Sequence, residues 1–253
     1  MNSLANFAPA VSLCEAKRRG QNSKAIMHLD GILVVNKPPD ITSHDVVDFI
    51  RRKFNIERVG HAGTLDPMAT GVLVMLLGKA TKLSNTFTND DKEYVAKVFF
   101  GKSTDTQDAQ GKVIEEKNID SLDIEVIKKA LENFKGEIEQ VPPMVSAIKY
   151  KGKKLYQLAR LGETVVREPR KINISSLEIL DFKFPELTFK VKCSKGTYVR
   201  TLCEDIGKVL GVPSHMSSLV RSASGDFLLE DSKSLDEVHE KDIIPYSSYD
   251  RHI

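Results

Sequence analysis

The chain has 253 residues, of which 41% are hydrophobic and 28% are charged, and its formal net charge at pH 7 is +2. This composition is typical of a globular protein with a substantial core, and it excludes a disordered or low-complexity chain. No apolar run approaches the roughly 20 residues of a membrane-spanning helix, so the sequence predicts a soluble protein.

The first part of the chain predicts an irregular leader, a strand and a helix. Residues 1–26 lack apolar periodicity and contain no hydrophobic signal region, which favours a disordered leader, and Met27 is a candidate for the true start. Residues 31–35 form a short apolar run that predicts a buried strand. Thr42 or Ser43 is expected to cap the following helix. The apolar face of that helix is formed by Val46, Val47, Ile50 and Phe54.

A glycine-framed acid at residues 60–71 is the most informative stretch. Glycines at 60, 63 and 71 surround Asp66, and Pro67 follows it directly. Because proline disfavours the helical region for the preceding residue, Asp66 is expected in an extended or turn conformation ahead of a buried strand at 72–77. Such an aspartate either caps its own backbone or serves as a catalytic carboxylate. The stretch lacks the Gly-Lys-Ser/Thr ending of a P-loop.

The middle of the chain predicts further elements and a cationic surface. Residues 93–100 alternate as a strand, 105–111 form a polar, turn-rich loop, and 124–134 have the periodicity of a helix. The double proline at 142–143 predicts an extended, semi-rigid arm. Residues 149–171 then carry eight Lys and Arg against two Glu. They predict a surface for a polyanion or, alternatively, an ordinary solvated face.

The last third of the chain predicts two strands and a helix, which completes one α+β domain. The strands are expected at 172–182 and 187–193. The apolar face of the helix is formed by Leu202, Ile206, Val209 and Leu210. Residues 226–253 hold eight acids against three Lys and Arg.

Cysteine and histidine spacing gives no sign of disulfides or metals. Cys14, Cys193 and Cys203 form an odd set without CxxC spacing, which predicts a reduced protein of the cytoplasm. The six histidines show no HxxxH pair and no Cys/His cluster, so we expect no metal site.

Several motifs in a fixed order carry a family resemblance. They are DGILVVNKPP at 30–39, GHAGTLDP at 60–67, KEY at 92–94, VPPMVSA at 141–147, KYKGK at 149–153 and SKGTYVR at 194–200. Over about residues 27–230, the chain resembles the TruB family of bacterial tRNA pseudouridine synthases. The resemblance implies a pseudouridine-synthase-like α+β catalytic domain, whose mixed, largely antiparallel sheet is flanked by helices and loops.

The resemblance also implies an enzyme that isomerises the uridine at position 55, in the T-loop of tRNA, to pseudouridine. Asp66 would be the catalytic residue, acting either as a nucleophile or as the base that removes a sugar proton. Arg200 would be its ionic partner, and Tyr94 would lie against the flipped-out base. No cofactor or metal is expected, since the isomerisation involves neither net redox chemistry nor hydrolysis.

RNA contacts follow from the same resemblance. Tyr198 and Leu219 match positions that line the uridine pocket, and His61 matches a histidine that enters the T-loop. Lys149 and Lys153 belong to a basic segment, about 141–171, that is expected to clasp the RNA backbone, and Lys37 is expected to join that surface. The implied partner is the tRNA T-arm. No membrane or obligate protein partner is expected, and the protein is predicted to be a monomer.

The sequence also predicts two segment boundaries and leaves two alternative functions open. Residues 27–230 are expected to form the catalytic domain, and residues 231–253 an acidic tail without the full PUA-type RNA-binding domain of longer family members. One alternative function is a pseudouridine synthase that acts on another RNA. The other is a stand-alone tRNA-binding or folding chaperone in which Asp66 has no chemical role.

Overall fold

The computed structural model describes residues 29–249. The predicted leader at residues 1–26, with Cys14, and the candidate start at Met27 lie outside the described residues. None of the helices between residues 29 and 249 is long and apolar enough to cross a membrane.

Five α-helices and fourteen β-strands make up the regular structure of residues 29–249. The helices are α1 (Ser43–Phe54), α2 (Ser84–Asn89), α3 (Ile124–Glu132), α4 (Leu155–Arg160) and α5 (Val199–Leu210). The first seven strands are β1 (Gly31–Lys37), β2 (Val59–Ala62), β3 (Thr70–Leu77), β4 (Lys92–Phe100), β5 (Lys102–Thr104), β6 (Val113–Glu116) and β7 (Gly136–Gln140). The others are β8 (Lys149–Tyr150), β9 (Lys153–Lys154), β10 (Arg170–Lys183), β11 (Glu186–Cys193), β12 (Ser214–Ser224), β13 (Phe227–Leu228) and β14 (Ile244–Pro245).

Ten strands form one mixed sheet, in the order β14-β1-β3-β12-β4-β11-β10-β7, with β2 paired to β3 and β13 paired to β12. Every pairing in this sheet is antiparallel except that of β3 with β12. That parallel pairing covers only two residue pairs, Thr70 with Val220 and Gly71 with Arg221. The predicted α+β class, with a mixed and largely antiparallel sheet, is confirmed.

The helical faces read from the sequence pack on one side of this sheet. Val46, Val47, Ile50 and Phe54 of α1 are all buried there, as predicted. On α5, Leu202 and Ile206 are buried, but Val209 is 52% exposed, so its assignment to the buried face is wrong. The buried face of α5 is rotated away from Val209, because it also contains Arg200 and Cys203.

Two segments outside the regular core approach the sheet. Residues 141–169 carry the β8–β9 hairpin and α4 but are otherwise irregular. The acidic segment after residue 230 lies along the sheet edge, where Ile244 pairs with Ile32 and Val238 is fully buried.

Candidate active site

Asp66 lies on an irregular loop between β2 and β3, which we call the Asp66 loop (residues 63–69). The N-terminus of α1 holds this loop, because Ser43 Oγ accepts a hydrogen bond from Leu65 N at 2.9 Å and donates one to Leu65 O at 3.2 Å. Gly63 and Gly71 flank it with φ of +93° and +102°, a region that side-chain-bearing residues rarely adopt. The loop therefore presents Asp66 in the extended-to-turn geometry expected before Pro67.

Lys37 stabilises the Asp66 loop from inside the protein and does not lie on the surface where RNA would bind. Its side chain is fully buried, and Nζ donates to the carbonyls of Pro38 at 2.8 Å, Ile41 at 2.7 Å and Pro67 at 3.0 Å. Burial lowers the pKa of Lys37 from 10.5 to about 8, although Asp40 and Asp66 oppose this. The prediction that Lys37 joins the phosphate-binding surface is corrected, since a fully buried ammonium cannot reach a phosphate.

The ionic partner of Asp66 is Arg200, the residue that the family resemblance implied. Arg200 Nε lies 2.8 Å from Asp66 Oδ2, and its NH2 lies 3.3 Å from Oδ1. The Arg200 side chain is only 4% exposed, whereas that of Asp66 is 34% exposed. A guanidinium that contacts both carboxylate oxygens fixes the orientation of the carboxylate as well as favouring its charge. Because 34% of the Asp66 side chain remains exposed, a ligand can approach the carboxylate.

Opposing influences act on the protonation of Asp66. Burial raises the pKa of Asp66 above the usual value of an aspartate, and the charge of Asp108 raises it further. The charges of Arg200 and Lys37, together with the hydrogen bond from Arg200, lower it. The net result is a raised pKa, so Asp66 gains basicity while its charged form retains a dedicated partner.

The remaining donors of Arg200 lead to residues that the sequence did not assign to the site. Its NH1 donates to Thr106 O at 3.2 Å and lies 3.7 Å from the Asp108 carboxylate, and its NH2 donates to Val145 O at 2.9 Å. Asp108 is 5% exposed. Only the polar composition of residues 105–111 hinted at this role, and composition cannot identify the contact.

Tyr94 and Leu219 face the same region of the sheet from adjacent strands. Tyr94 lies on β4 opposite Arg221, and Leu219 lies opposite Ala96, two positions further along β4. Because side chains two residues apart point to the same face of a strand, Tyr94 and Leu219 share one surface. Burial raises the pKa of Tyr94, and the charge of Arg221 opposes that rise.

Tyr198 is held where it precedes α5. Its backbone N–H donates to Gln140 Oε1 at 2.8 Å, and Gln140 Nε2 donates back to Tyr198 O at 3.1 Å. Gln140 is buried at the end of β7, directly before residues 141–171, which we call the arm. This pair of hydrogen bonds ties the start of the arm to the helix that carries Arg200. Burial raises the pKa of the Tyr198 hydroxyl.

His61 lies on β2 at the entrance to the Asp66 loop, opposite Met75. Burial and the nearby charge of Arg221 lower the pKa of His61, so its neutral form predominates. Its Nδ1 is buried without a hydrogen-bond partner among residues 29–249. A neutral, half-buried ring at this place suits stacking or insertion better than binding a phosphate.

Lys149 and Lys153 lie on the β8–β9 hairpin of the arm, and both are exposed. Aromatic rings accompany the cations there: Lys154 Nζ and Arg160 Cζ lie 5.7 Å and 5.4 Å from the centre of the Tyr156 ring. The described chain contains no group of three or more His, Cys, Asp or Glu side chains that could hold a metal ion.

Family models and curated proteins are similar to this chain over most of its length. A model of the TruB family pseudouridylate synthase N-terminal domain matches residues 51–199, and one of the tRNA pseudouridylate synthase B C-terminal domain matches residues 200–249. A tRNA pseudouridine synthase B from Caldanaerobacter subterraneus subsp. tengcongensis is 50% identical over 85% of this chain and 75% of its own. The corresponding protein of Clostridium tetani is 49% identical over 85% of this chain and 74% of its own.

Two solved structures also contain chains that are similar to this one. A Cbf5-Nop10-Gar1 complex contains a chain that matches with a TM-score of 0.68 and 31% identity, covering 88% of this chain and 62% of that one. An H/ACA RNP bound to a substrate RNA containing 2′-deoxyuridine contains one that matches with a TM-score of 0.62 and 30% identity, covering 82% and 51% respectively. The fold and the matched domains define the class as that of the pseudouridylate synthases. Within that class, the chain belongs to the TruB family.

Proposed function

We propose that the protein is a tRNA pseudouridine synthase that converts the T-loop uridine at position 55 to pseudouridine. The observation that carries the proposal is the contact of Arg200 with both carboxylate oxygens of Asp66, at 2.8 Å and 3.3 Å, on a loop that leaves Asp66 partly open. The relatives named tRNA pseudouridine synthase B support tRNA as the substrate.

The chemistry requires one ionised carboxylate beside the sugar. The N1–C1′ bond breaks, the base turns, C5 joins C1′ and loses its proton, and N1 gains one, with no oxidant, reductant or water consumed overall. Asp66 acts in this sequence as the nucleophile or as the base that takes a sugar proton, and its raised pKa strengthens it in the second role. Arg200 keeps the carboxylate charged and oriented. No cofactor takes part in the proposed mechanism.

The uridine must leave the stacked T-loop to reach Asp66, so the proposal includes base flipping. Tyr94 lies against the flipped base, Tyr198 and Leu219 line its pocket, and His61 enters the loop that the base has left. Lys149 and Lys153 contact phosphates, while the folded shape of the T-loop provides recognition. The protein works as a monomer in the cytoplasm, where its tRNA substrate is found.

The proposal also states how the chain divides into functional segments. Residues 27–230 carry the catalytic function, with an RNA-clasping segment at about 141–171, and the acidic segment that follows residue 230 is appended to them. Contacts of Arg200 with Val145 O and of Gln140 with Tyr198 support an arm that is coupled to the site.

Incubation with an unmodified T-arm stem-loop, followed by mapping of pseudouridine, tests the proposal. We expect product at position 55 with the wild type and none with Asp66→Asn. Binding without product in the wild type would favour the chaperone alternative. Product only in a different RNA would favour the alternative substrate, so ribosomal RNA fragments and a full-length transcript belong in the same assay.

A further inference from the structure

Arg221 is the largest side chain that is almost fully buried in residues 29–249, with 1% exposure. It forms no salt bridge with a carboxylate of those residues. A buried guanidinium without a counter-ion is costly, because its charge is desolvated without an opposing charge. The role of Arg221 therefore follows from the groups that accept its hydrogen bonds.

The donors of Arg221 hold two segments that frame the site. Its Nε donates to Val72 O at 2.7 Å, at the start of β3, and its NH2 donates to Gly63 O at 3.1 Å, at the start of the Asp66 loop. A Cβ on Gly63 would lie 3.4 Å from Arg221 NH1, and one on Gly71 would lie 2.3 Å from Arg221 O. The contact at Gly63 would be an ordinary one, but a side chain at Gly71 would clash, so Gly71 permits the close approach of the Arg221 backbone to β3.

The third neighbour of Arg221 is Tyr94. The two residues are direct partners in the antiparallel pairing of β12 with β4, so their side chains leave the sheet on the same face. The charge of Arg221 lowers the pKa of the Tyr94 hydroxyl, against the larger effect of burial, which raises it. The strand pairing therefore places Arg221 directly beside Tyr94.

We propose that Arg221 is a positioning residue for the reaction: it holds β3 and the Asp66 loop through the carbonyls of Val72 and Gly63, and from the adjacent strand it orients the Tyr94 hydroxyl towards the uridine pocket. The inference rests on the proposed function and goes beyond it by giving Tyr94 a partner. Arg221 itself touches no substrate atom. It acts by joining β3, β4 and the Asp66 loop at the point where the sheet is held by only two parallel residue pairs.

The charges around this cluster agree with the assignment. Burial and the repulsion of Arg221 lower the pKa of Lys92 to about 8. The ionisable groups that act on Tyr94 are Arg221 on β12, Cys193 on β11 and Asp66, and only Arg221 favours the phenolate. Loss of the Arg221 charge therefore moves any apparent pKa that belongs to Tyr94 to higher pH, whether Tyr94 serves as acid or base.

The test is a double-mutant cycle of Arg221→Met and Tyr94→Phe under single turnover with the T-arm stem-loop. We expect Arg221→Met to slow the chemical step about 100-fold, the lower range for loss of proton-transfer assistance, with stem-loop affinity changed less than about 3-fold. In the Tyr94→Phe background, Arg221→Met should have little further effect, because the hydroxyl it positions is already gone. Losses that simply multiply would overturn the inference.

Two further variants separate positioning from loss of stability. Val98→Ala removes buried volume from β4, four residues from Tyr94, and should lower Tm without changing the rate per folded molecule or the pH profile. If Arg221→Met does not fold, Arg221→Lys takes its place. One ammonium cannot hold Val72 O, Gly63 O and the Tyr94 hydroxyl together, so a wild-type rate in Arg221→Lys would contradict the proposal.

A measurement without turnover distinguishes failure of this inference from failure of the proposed function. The protein has six tyrosines, so the carbon-13 Cζ resonance of Tyr94 can be assigned by its absence in Tyr94→Phe. Arg221→Met, or Arg221→Lys, should shift that resonance, and Val98→Ala should not. An unmoved resonance overturns the inference even if the enzyme is active, and a shifted one supports it even if the RNA substrate proves to be different.

Discussion

Arg200 holds Asp66 by both carboxylate oxygens, with Nε 2.8 Å from Oδ2 and NH2 3.3 Å from Oδ1. The same guanidinium donates to Val145 O on the arm at 2.9 Å and to Thr106 O at 3.2 Å. A single buried arginine thus connects the Asp66 loop, the polar loop after β5 and the arm. Changes at any of these three segments should therefore reach the carboxylate.

Asp66→Asn should abolish turnover while leaving binding intact. The amide keeps the size of the side chain but can neither attack the sugar nor accept its proton, and we expect a loss of about 10⁴-fold, the scale for removal of one member of a catalytic unit. Single-turnover kinetics and a filter-binding titration would measure the two effects. Asp181→Asn, at a side chain that is 57% exposed, is the matched control and should retain wild-type activity.

Arg200→Lys should separate charge from geometry. The ammonium retains a positive charge but cannot contact both Asp66 oxygens and two carbonyls together, so we expect kcat to fall about 10²–10³-fold, as for loss of one preorganised electrostatic contact. The Kd for the stem-loop should stay within a few-fold of the wild type. Arg52→Lys on the exposed side of α1 controls for the chemical change, and unaltered kcat in Arg200→Lys would contradict the pairing role.

The pH profile should report the raised pKa of Asp66. A reaction that needs the ionised carboxylate loses rate as the pH falls through that pKa, so the acid limb should lie above the usual aspartate value of 3.8. The charge of Asp108 raises the pKa of Asp66, so Asp108→Asn should move the acid limb to lower pH. Asp105→Asn, on the exposed side of the same loop, should leave the limb in place; a shift there, or none in Asp108→Asn, would count against this assignment.

Lys37 and the arm lysines should differ in two independent measurements. Lys37→Met leaves the carbonyls of Pro38, Ile41 and Pro67 without their donor, and we expect it to lower the free energy of unfolding by about 2–4 kcal/mol. The salt dependence of tRNA binding should not change. Lys149→Met and Lys153→Met should each reduce the slope of log K against log salt by about 1 and leave Tm unchanged. A reduced slope in Lys37→Met would show that Lys37 meets RNA after all.

Local sequence features gave correct predictions where neighbouring residues decide the outcome. The apolar face of α1 follows from 3.6-residue periodicity and is buried as expected, and Asp66 lies on a loop because glycines and Pro67 surround it. Val209 shows the limit of periodicity, since the partners of α5 determine which part of an amphipathic helix faces inwards. Lys37 shows a second limit: a lysine before two prolines has the same local sequence whether it is solvated or buried.

By itself, the sequence determined several of the longer helices and strands, though not the central strand β12, together with the loop that carries Asp66, the basic character of the arm and the family resemblance. Only the tertiary structure decided which charges meet. Arg200 is 134 residues from Asp66 along the chain, and Asp108 and Arg221 carry no local pattern that links them to the site. Periodicity and turn chemistry depend on residues a few positions apart, whereas burial and ion pairing depend on which distant segments the sheet brings together. From its neighbours, Asp66 is recognisable as an acid on a loop, but it is a paired, partly desolvated carboxylate because Arg200 of α5 contacts it.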